Sequence, residues 1–356
     1  MIWIAKPKIG MEEAQEVLSV LRSGMLAQGK KVEEFETKFA DYIGTKYAVA
    51  CSNGTAALHM AMLALDVGPD QECITTPFTF ISTINMVKAV GATPVYVDVG
   101  DDFNINESLI LDQITEKTKA IIPVHLFGKP CNMTEIMKIA KKHKLKVIED
   151  CAQACGAEHN NKKVGSFGDV GCFSFYPTKI MTTGEGGMCT TNSKKIYDKL
   201  KLIRNHGMTG SDYDYKCKGF NYRMSDIEGA IGCVQLDKVE NFIAVRRAIA
   251  ADYGFYLDDV IKFPCDRIGD RHVFNNYSFR VKDRDSFILN MKENGIDCRV
   301  YYSKPFVNLP NVKKISEEIV SIPIRPNMTT EEIQHIIYNV GETIKWIQKS
   351  KETSPT

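Results

Sequence analysis

Short apolar runs rich in β-forming residues alternate along the first half of the chain with longer stretches of helical spacing. The runs at 48–51, 72–76, 94–99, 120–125, 146–149, 170–174 and 187–191 read as strands. Helical spacing fills 56–65, 81–90 and 133–143. Strand and helix in repetition predict a parallel-rich sheet covered by helices, an α/β fold. The unbroken apolar run 120–124 fits a strand buried on both faces. After Asn221 the texture changes. Residues 224–256 read as one long helix. Short strands are expected at 276–282, 297–302 and 319–324, with helices at 286–294 and 329–349. The polar tail 350–356 is expected to fray. A chain of 356 residues exceeds what one core usually fills. The pattern predicts a large domain over 1–240 and a smaller α+β domain over 241–356.

Composition narrows the function classes. The net formal charge of +1 supplies no electrostatic reason for a nucleic-acid or anionic-membrane partner. Residues 1–17 meet acids early and lack a long apolar core, unlike a secretory signal. The apolar runs are too short to cross a bilayer, so a cytoplasmic location is expected. Eleven cysteines are scattered singly. Cys151 and Cys155 lie four apart, but no His or Cys cluster completes a zinc site, and no metal is expected. Reduced, mostly buried thiols are the expectation.

Three segments carry chemistry. Ser52-Asn53-Gly54-Thr55 follows the first strand and opens a helix. Gly54 allows a tight turn, the free N–H groups of a first helical turn bind anions, and Thr55 adds a hydroxyl. Phosphate is a natural ligand; a plain helix cap is the alternative. Further on, a buried strand runs into Glu149 and Asp150. Ligands of open α/β sheets bind at the carboxyl ends of strands. An acid there can hold the proton of a pyridinium ring and sharpen it as an electron sink. Gln153, about one helical turn on, can reach the same ligand. Taken alone, a helix-capping Asp explains the pattern as well. Third, the strand ending at Ser174 leads into Phe175-Tyr176-Pro177-Thr178-Lys179 and a Gly184-Glu185-Gly186-Gly187 turn. A lysine that forms an imine must sit near the carbonyl and be partly deprotonated.

In this order, the segments resemble those of fold-type I pyridoxal-phosphate enzymes. More closely, they resemble the DegT/DnrJ/EryC1/StrS family of sugar aminotransferases. The resemblance runs from Gly10 to Leu236, through SNGTAAL, PFTFISTINMVKAVGATPVYVDV, IIPVHLFGKPCNM, VIEDCAQACGA, GSFGDVGCFSFYPTK, TTGEGG and GFNYRMSDIEGAIGCVQL. Beyond residue 250 it is looser. The stretch 302–322 is shorter than is common in the family, which leaves substrate contacts there undefined.

The resemblance implies a fold-type I large domain, a smaller C-terminal domain, and pyridoxal 5′-phosphate as cofactor. It makes Lys179 the imine-forming residue and proton shuttle, and pairs Asp150 with the pyridine nitrogen. Gln153 would contact the phenolic oxygen and Phe80 would stack on the ring. Gly54, Thr55 and Ser174 would hold the phosphate. Asn221, in Gly219-Phe220-Asn221-Tyr222-Arg223, would reach the phosphate of a neighbouring subunit, which implies a homodimer with shared active sites. The implied reaction moves an amino group from glutamate to a nucleotide-linked keto-deoxysugar in amino-sugar biosynthesis. The Thr182-Thr183-Gly184-Glu185-Gly186-Gly187 run resembles members acting at C4 more than at C3. Three rivals share the fold: a keto-cyclitol aminotransferase, a sugar dehydratase and a non-catalytic regulator. Dehydratases of the family place His at the lysine position. Lys179, Asp150 and Ser174 together, and no basic helix-turn-helix, favour transamination. Phe80 as core packing and Asn221 as a turn residue remain alternatives. His59 reads as packing, and His206 has no assigned role.

Overall fold

The computed structural model describes residues 1–210, 213–261, 267–307 and 309–352. In chain order the strands are β1 Tyr47–Cys51, β2 Glu72–Thr75, β3 Thr93–Tyr96, β4 Thr118–Ile121, β5 Lys146–Asp150, β6 Glu158–His159, β7 Lys162–Lys163, β8 Val170–Ser174, β9 Gly187–Thr191, β10 Met208–Thr209, β11 Asp214–Tyr215, β12 Tyr277–Arg280 and β13 Ile319–Ile322. The α-helices are α1 Met11–Ser23, α2 Lys30–Ile43, α3 Gly54–Ala64, α4 Ile81–Ala89, α5 Met133–His143, α6 Lys194–Arg204, α7 Asp226–Leu257, α8 Arg284–Glu293, α9 Pro310–Glu318 and α10 Thr330–Glu352.

Seven strands form the central sheet in the order β1-β9-β8-β5-β4-β2-β3. These are the seven runs expected in the first half of the sequence. Strands β3, β2, β4, β5 and β8 are mutually parallel. Only β9 runs against its neighbours, β1 and β8. Both faces are buried, and the period of two is visible in the packing. Ala48 and Ala50 face a cluster with α2 and α7, while Val49 and Cys51 face one with α3 and α6.

Register brings three segments to one edge. Gly187 opens β9 opposite both Cys51, the last residue of β1, and Ser174, the last of β8. A Cβ on Gly187 would lie 2.4 Å from the Asn53 carbonyl oxygen, so the turn after β1 closes only over a glycine. The carboxyl ends of the parallel strands share this edge, as the connectivity of open α/β sheets requires.

Helix α7 starts at a capping box. The Ser225 N–H donates to Glu228 Oε2 at 2.7 Å, and the Glu228 N–H donates to Ser225 Oγ at 3.3 Å. Its first half packs Cys233, Leu236, Val239 and Ile243 against Val32, Phe35 and Phe39 of α2. Its second half contributes Ile249, Tyr253 and Leu257 to a separate cluster with β12, β13, α8 and α10. The expected strand at 297–302 does not form. Single bridges pair Ile2 with Ile296 and Arg299 with Ser321, and at Tyr302 the backbone turns left-handed, with φ 63°. The tail also differs from expectation, because α10 continues to Glu352. Residues 353–356 lie outside those described. The ten described cysteines are free and eight are buried, while Cys265 lies outside the described residues. Among the described residues, no helix is long and apolar enough to cross a membrane.

One buried carboxylate adds a polar tie between α7 and α2. Asp226 Oδ1 accepts the N–H groups of Gly29 at 2.8 Å and Val32 at 3.0 Å, which caps α2. Asp226→Ala leaves those donors unpaired. It should lower the unfolding free energy by about 2 kcal/mol, read as a shifted urea midpoint with an unchanged slope. An unshifted midpoint would mean that water replaces the cap at no cost.

Candidate active site

At the carboxyl edge of the sheet lies a cavity of about 420 Å³, within the range of small-molecule sites. Gly54, Thr55, Phe80, Asp150, Gln153, Ser174 and Lys179 all line it. The structure therefore brings together every expected site residue except Asn221. That residue is exposed, its backbone bridged to Asn205, outside this chain's cavity.

The cavity floor is a backbone cradle. Asn53 caps α3, its side chain accepting the Ala56 N–H at 2.8 Å and its carbonyl the Ala57 N–H at 3.1 Å. The N–H groups of Gly54 and Thr55 precede the helical ladder and face outward as anion donors. A Cβ on Gly54 would sit 2.7 Å from Ser174 Cβ, so the hydroxyl of Ser174 can close on the same point only beside a glycine. Thr55 Oγ1 and Ser82 Oγ share a hydrogen bond at 2.8 Å.

Two consecutive acids on β5 have different tasks. Glu149 is an anchor. Its carboxylate accepts the N–H groups of Gly165, Phe167 and Gly168 at 2.7–2.8 Å and faces His125 Nε2 at 3.2 Å. His125 Nδ1 accepts the Cys131 N–H at 3.0 Å, which leaves the ring's proton on Nε2. His125, Glu149 and Cys151 lie close enough for a metal, but the nitrogen and oxygen lone pairs of the first two are taken up by these bonds. Asp150, on the opposite face, points into the cavity. Thr83 Oγ1 donates to its Oδ2 at 2.7 Å and the Ala152 N–H to its Oδ1 at 3.2 Å. Burial pushes the Asp150 carboxyl up, against the lowering effect of these donors and of Lys179.

Lys179 sits in a loop clasped at its ends. The Phe175 N–H donates to the Gly186 carbonyl at 2.9 Å, and the Thr183 N–H to the Phe175 carbonyl at 3.0 Å. Thr182 Oγ1 adds a bond to the same carbonyl at 2.7 Å. Desolvation pulls the Lys179 amine down to about 8, with Asp150 acting in the opposite direction. A buried acid raised and a buried amine lowered are both driven toward neutrality, a pairing common at functional sites.

Phe80 is 60% exposed at the head of α4 and lines the cavity, so core packing does not account for it. His59 is packed as expected. Its ring lies 5.0 Å from that of Phe220, and Nδ1 meets the Tyr222 hydroxyl at 2.9 Å. His206 turns with φ 57° and does not line this cavity. Thr83, Asn275, Asn276, Tyr301 and Tyr302 are cavity residues that the sequence reading misses. Thr83 carries no local signal, because its partner is 67 positions away.

The chain matches the DegT/DnrJ/EryC1/StrS aminotransferase family over residues 7–341. It is 38% identical to the GDP-perosamine synthase of Caulobacter vibrioides, covering 96% of this chain and 98% of that one. It is 38% identical to the dTDP-3-amino-3,6-dideoxy-alpha-D-galactopyranose transaminase of Aneurinibacillus thermoaerophilus, covering 93% and 95%. Its fold superposes on a putative sugar aminotransferase of Streptococcus pneumoniae in its PMP form, with a TM-score of 0.94 and 27% identity over 99% of this chain and 100% of that one. The same Streptococcus protein in its PLP form superposes at 0.92. The sheet, the cradle, the acid–lysine pair and these matches lead to one conclusion: the chain belongs to the DegT/DnrJ/EryC1/StrS aminotransferase family.

Proposed function

We propose that this aminotransferase uses pyridoxal phosphate held at Lys179 to move an amino group from glutamate to a nucleotide-linked keto-deoxysugar. The observation that supports it most is the opposed pair in one cavity, a raised Asp150 and a Lys179 lowered to about 8. A cofactor with a protonatable ring nitrogen, an aldehyde and a phosphate matches Asp150, Lys179 and the Gly54–Thr55–Ser174 cradle in turn. When bound, that group supplies an electron sink for a proton lost from the carbon bearing the amine.

The chain's own residues do the rest. The Lys179 amine is neutral in part near pH 8, so it can attack a carbonyl and then carry a proton between carbons. Asp150, steered by Thr83 and the Ala152 N–H, holds a proton on the ring nitrogen. Gly54, Thr55 and Ser174 bind a phosphate through backbone and hydroxyl donors. Phe80 and Gln153 line the same cavity, where Phe80 would cover one ring face and Gln153 would bond the ring's oxygen substituent. Asn221 serves the phosphate in a second copy of the chain, which accounts for its exposure here. Leu18, Leu21, Met25 and Leu26, all exposed on and after α1, offer an apolar surface for that copy. The two relatives act with GDP-linked and dTDP-linked sugars by name. We read C4 as the aminated position on the Thr182–Gly187 run. Product analysis with 3-keto and 4-keto sugars of both nucleotides tests that choice.

Adding pyridoxal phosphate to the stripped protein should give a visible absorption band that glutamate bleaches and that Lys179→Ala lacks. Its rate of appearance should rise with pH through a midpoint near 8, well below the ordinary lysine range of about 10.4. Asp150→Asn removes the charge that holds the amine's proton, so the midpoint should move lower still. A rate still climbing above pH 10 would contradict the buried-amine geometry. A band that glutamate leaves unchanged would point to another amino donor or to the dehydratase.

Shared sites make a further demand. Neither Lys179→Ala nor Asn221→Ala homodimers should turn over at the parental rate. Mixed dimers of the two each hold one whole site and should regain up to half the parental activity per dimer. Verified mixed dimers with no recovery would exclude sharing through Asn221.

A further inference from the structure

Tyr302 lines the cavity without an assigned task. In an extended strand, consecutive side chains point to opposite faces. The strand expected at 297–302 would therefore send the rings of Tyr301 and Tyr302 apart. Both line the cavity instead. The cause is the φ of 63° at Tyr302, a left-handed conformation disfavoured for so bulky a side chain. Such strain persists only where the surroundings over-determine it, and it gathers at functional sites.

The surroundings are specific. The Tyr302 ring stacks on Phe127, with centroids 6.4 Å apart and planes at 15°, and meets the edge of Phe78 at 5.6 Å. Its hydroxyl accepts Gln153 Nε2–H at 2.9 Å. Gln153 Oε1 in turn accepts the Phe127 N–H at 2.8 Å. That N–H can only donate, so the amide's orientation follows from chemistry. Held at both ends, Gln153 cannot flip, and one N–H of its amino group is left for the cavity. Burial pushes the Tyr302 phenol up, which keeps the hydroxyl neutral through the working range.

We infer that Tyr302 is a positioning residue: its hydroxyl locks Gln153 so that one amide N–H stays aimed at the oxygen substituent of the bound cofactor ring. The inference rests on the pyridoxal-phosphate reading above. The strained backbone at Tyr302 is the structural cost of that lock, and the Phe127 and Phe78 rings hold it in place.

The test is a pH titration of the visible cofactor band in the parent, Tyr302→Phe, Gln153→Ala and the double variant. Phenylalanine keeps both ring contacts and removes only the hydroxyl. Tyr302→Phe should retain the band, shift its titration midpoint by about half a pH unit or more, and raise the cofactor dissociation constant about fivefold. In the Gln153→Ala background the same change should add nothing, because a residue acting through Gln153 has no target there. Equal effects in both backgrounds, or no shift in Tyr302→Phe alone, would overturn the inference. A parent protein with no band would overturn the cofactor reading and this inference together.

Discussion

A residue without a side chain sets the geometry of the whole edge. Gly187 lies between the ends of β1 and β8, and the Asn53 carbonyl comes within 2.4 Å of where its Cβ would be. That approach draws the first turn of α3 and the hydroxyl of Ser174 onto one point. It also fixes where the Lys179 loop leaves β8 and returns to β9. A parallel sheet delivers its strand ends to a common edge. The single reversed strand adds the near end of β9 to that edge, and with it the second root of the lysine loop.

Electrostatics then separates roles that sequence adjacency conceals. Glu149 and Asp150 are neighbours on β5, but the pleat sends them to opposite faces. Glu149 meets three backbone donors and is spent on structure. Asp150 is desolvated beside Lys179, and burial pushes its carboxyl up against the donors that face it. The same strand therefore anchors a loop with one carboxylate and presents the next to the cavity.

Much of this was legible in the sequence. The strands of the central sheet are apolar on both faces and stand out between turn residues. Gly54, Thr55, Phe80, Asp150, Gln153, Ser174 and Lys179 converge because each ends or follows a strand at this edge or lies in the loop between β8 and β9. Other features were not local enough to read. Thr83 meets Asp150 across 67 positions and Tyr302 meets Gln153 across 149. No periodicity encodes such pairs. The stretch 297–302 misleads for a definite reason. Its alternation is strand-like, but only Arg299 finds a bridging partner, Ser321, and a positive φ ends the extension. Helix α2 shows the reverse case: Val32, Phe35, Phe39 and Ile43 repeat at helical spacing, a signal that a strand-first reading passes over.

Helix α7 has a mechanical consequence. It runs unbroken for 32 residues, about 48 Å at the usual rise, with one hydrophobic cluster on its first half and another on its second. A continuous helix transmits displacement as a beam and gives no swivel at its midpoint. Any opening of the cluster around β12 and β13 away from the sheet must bend that beam or peel contacts from its flank. Small, stiff excursions are therefore what this continuous helix favours over a hinged swing.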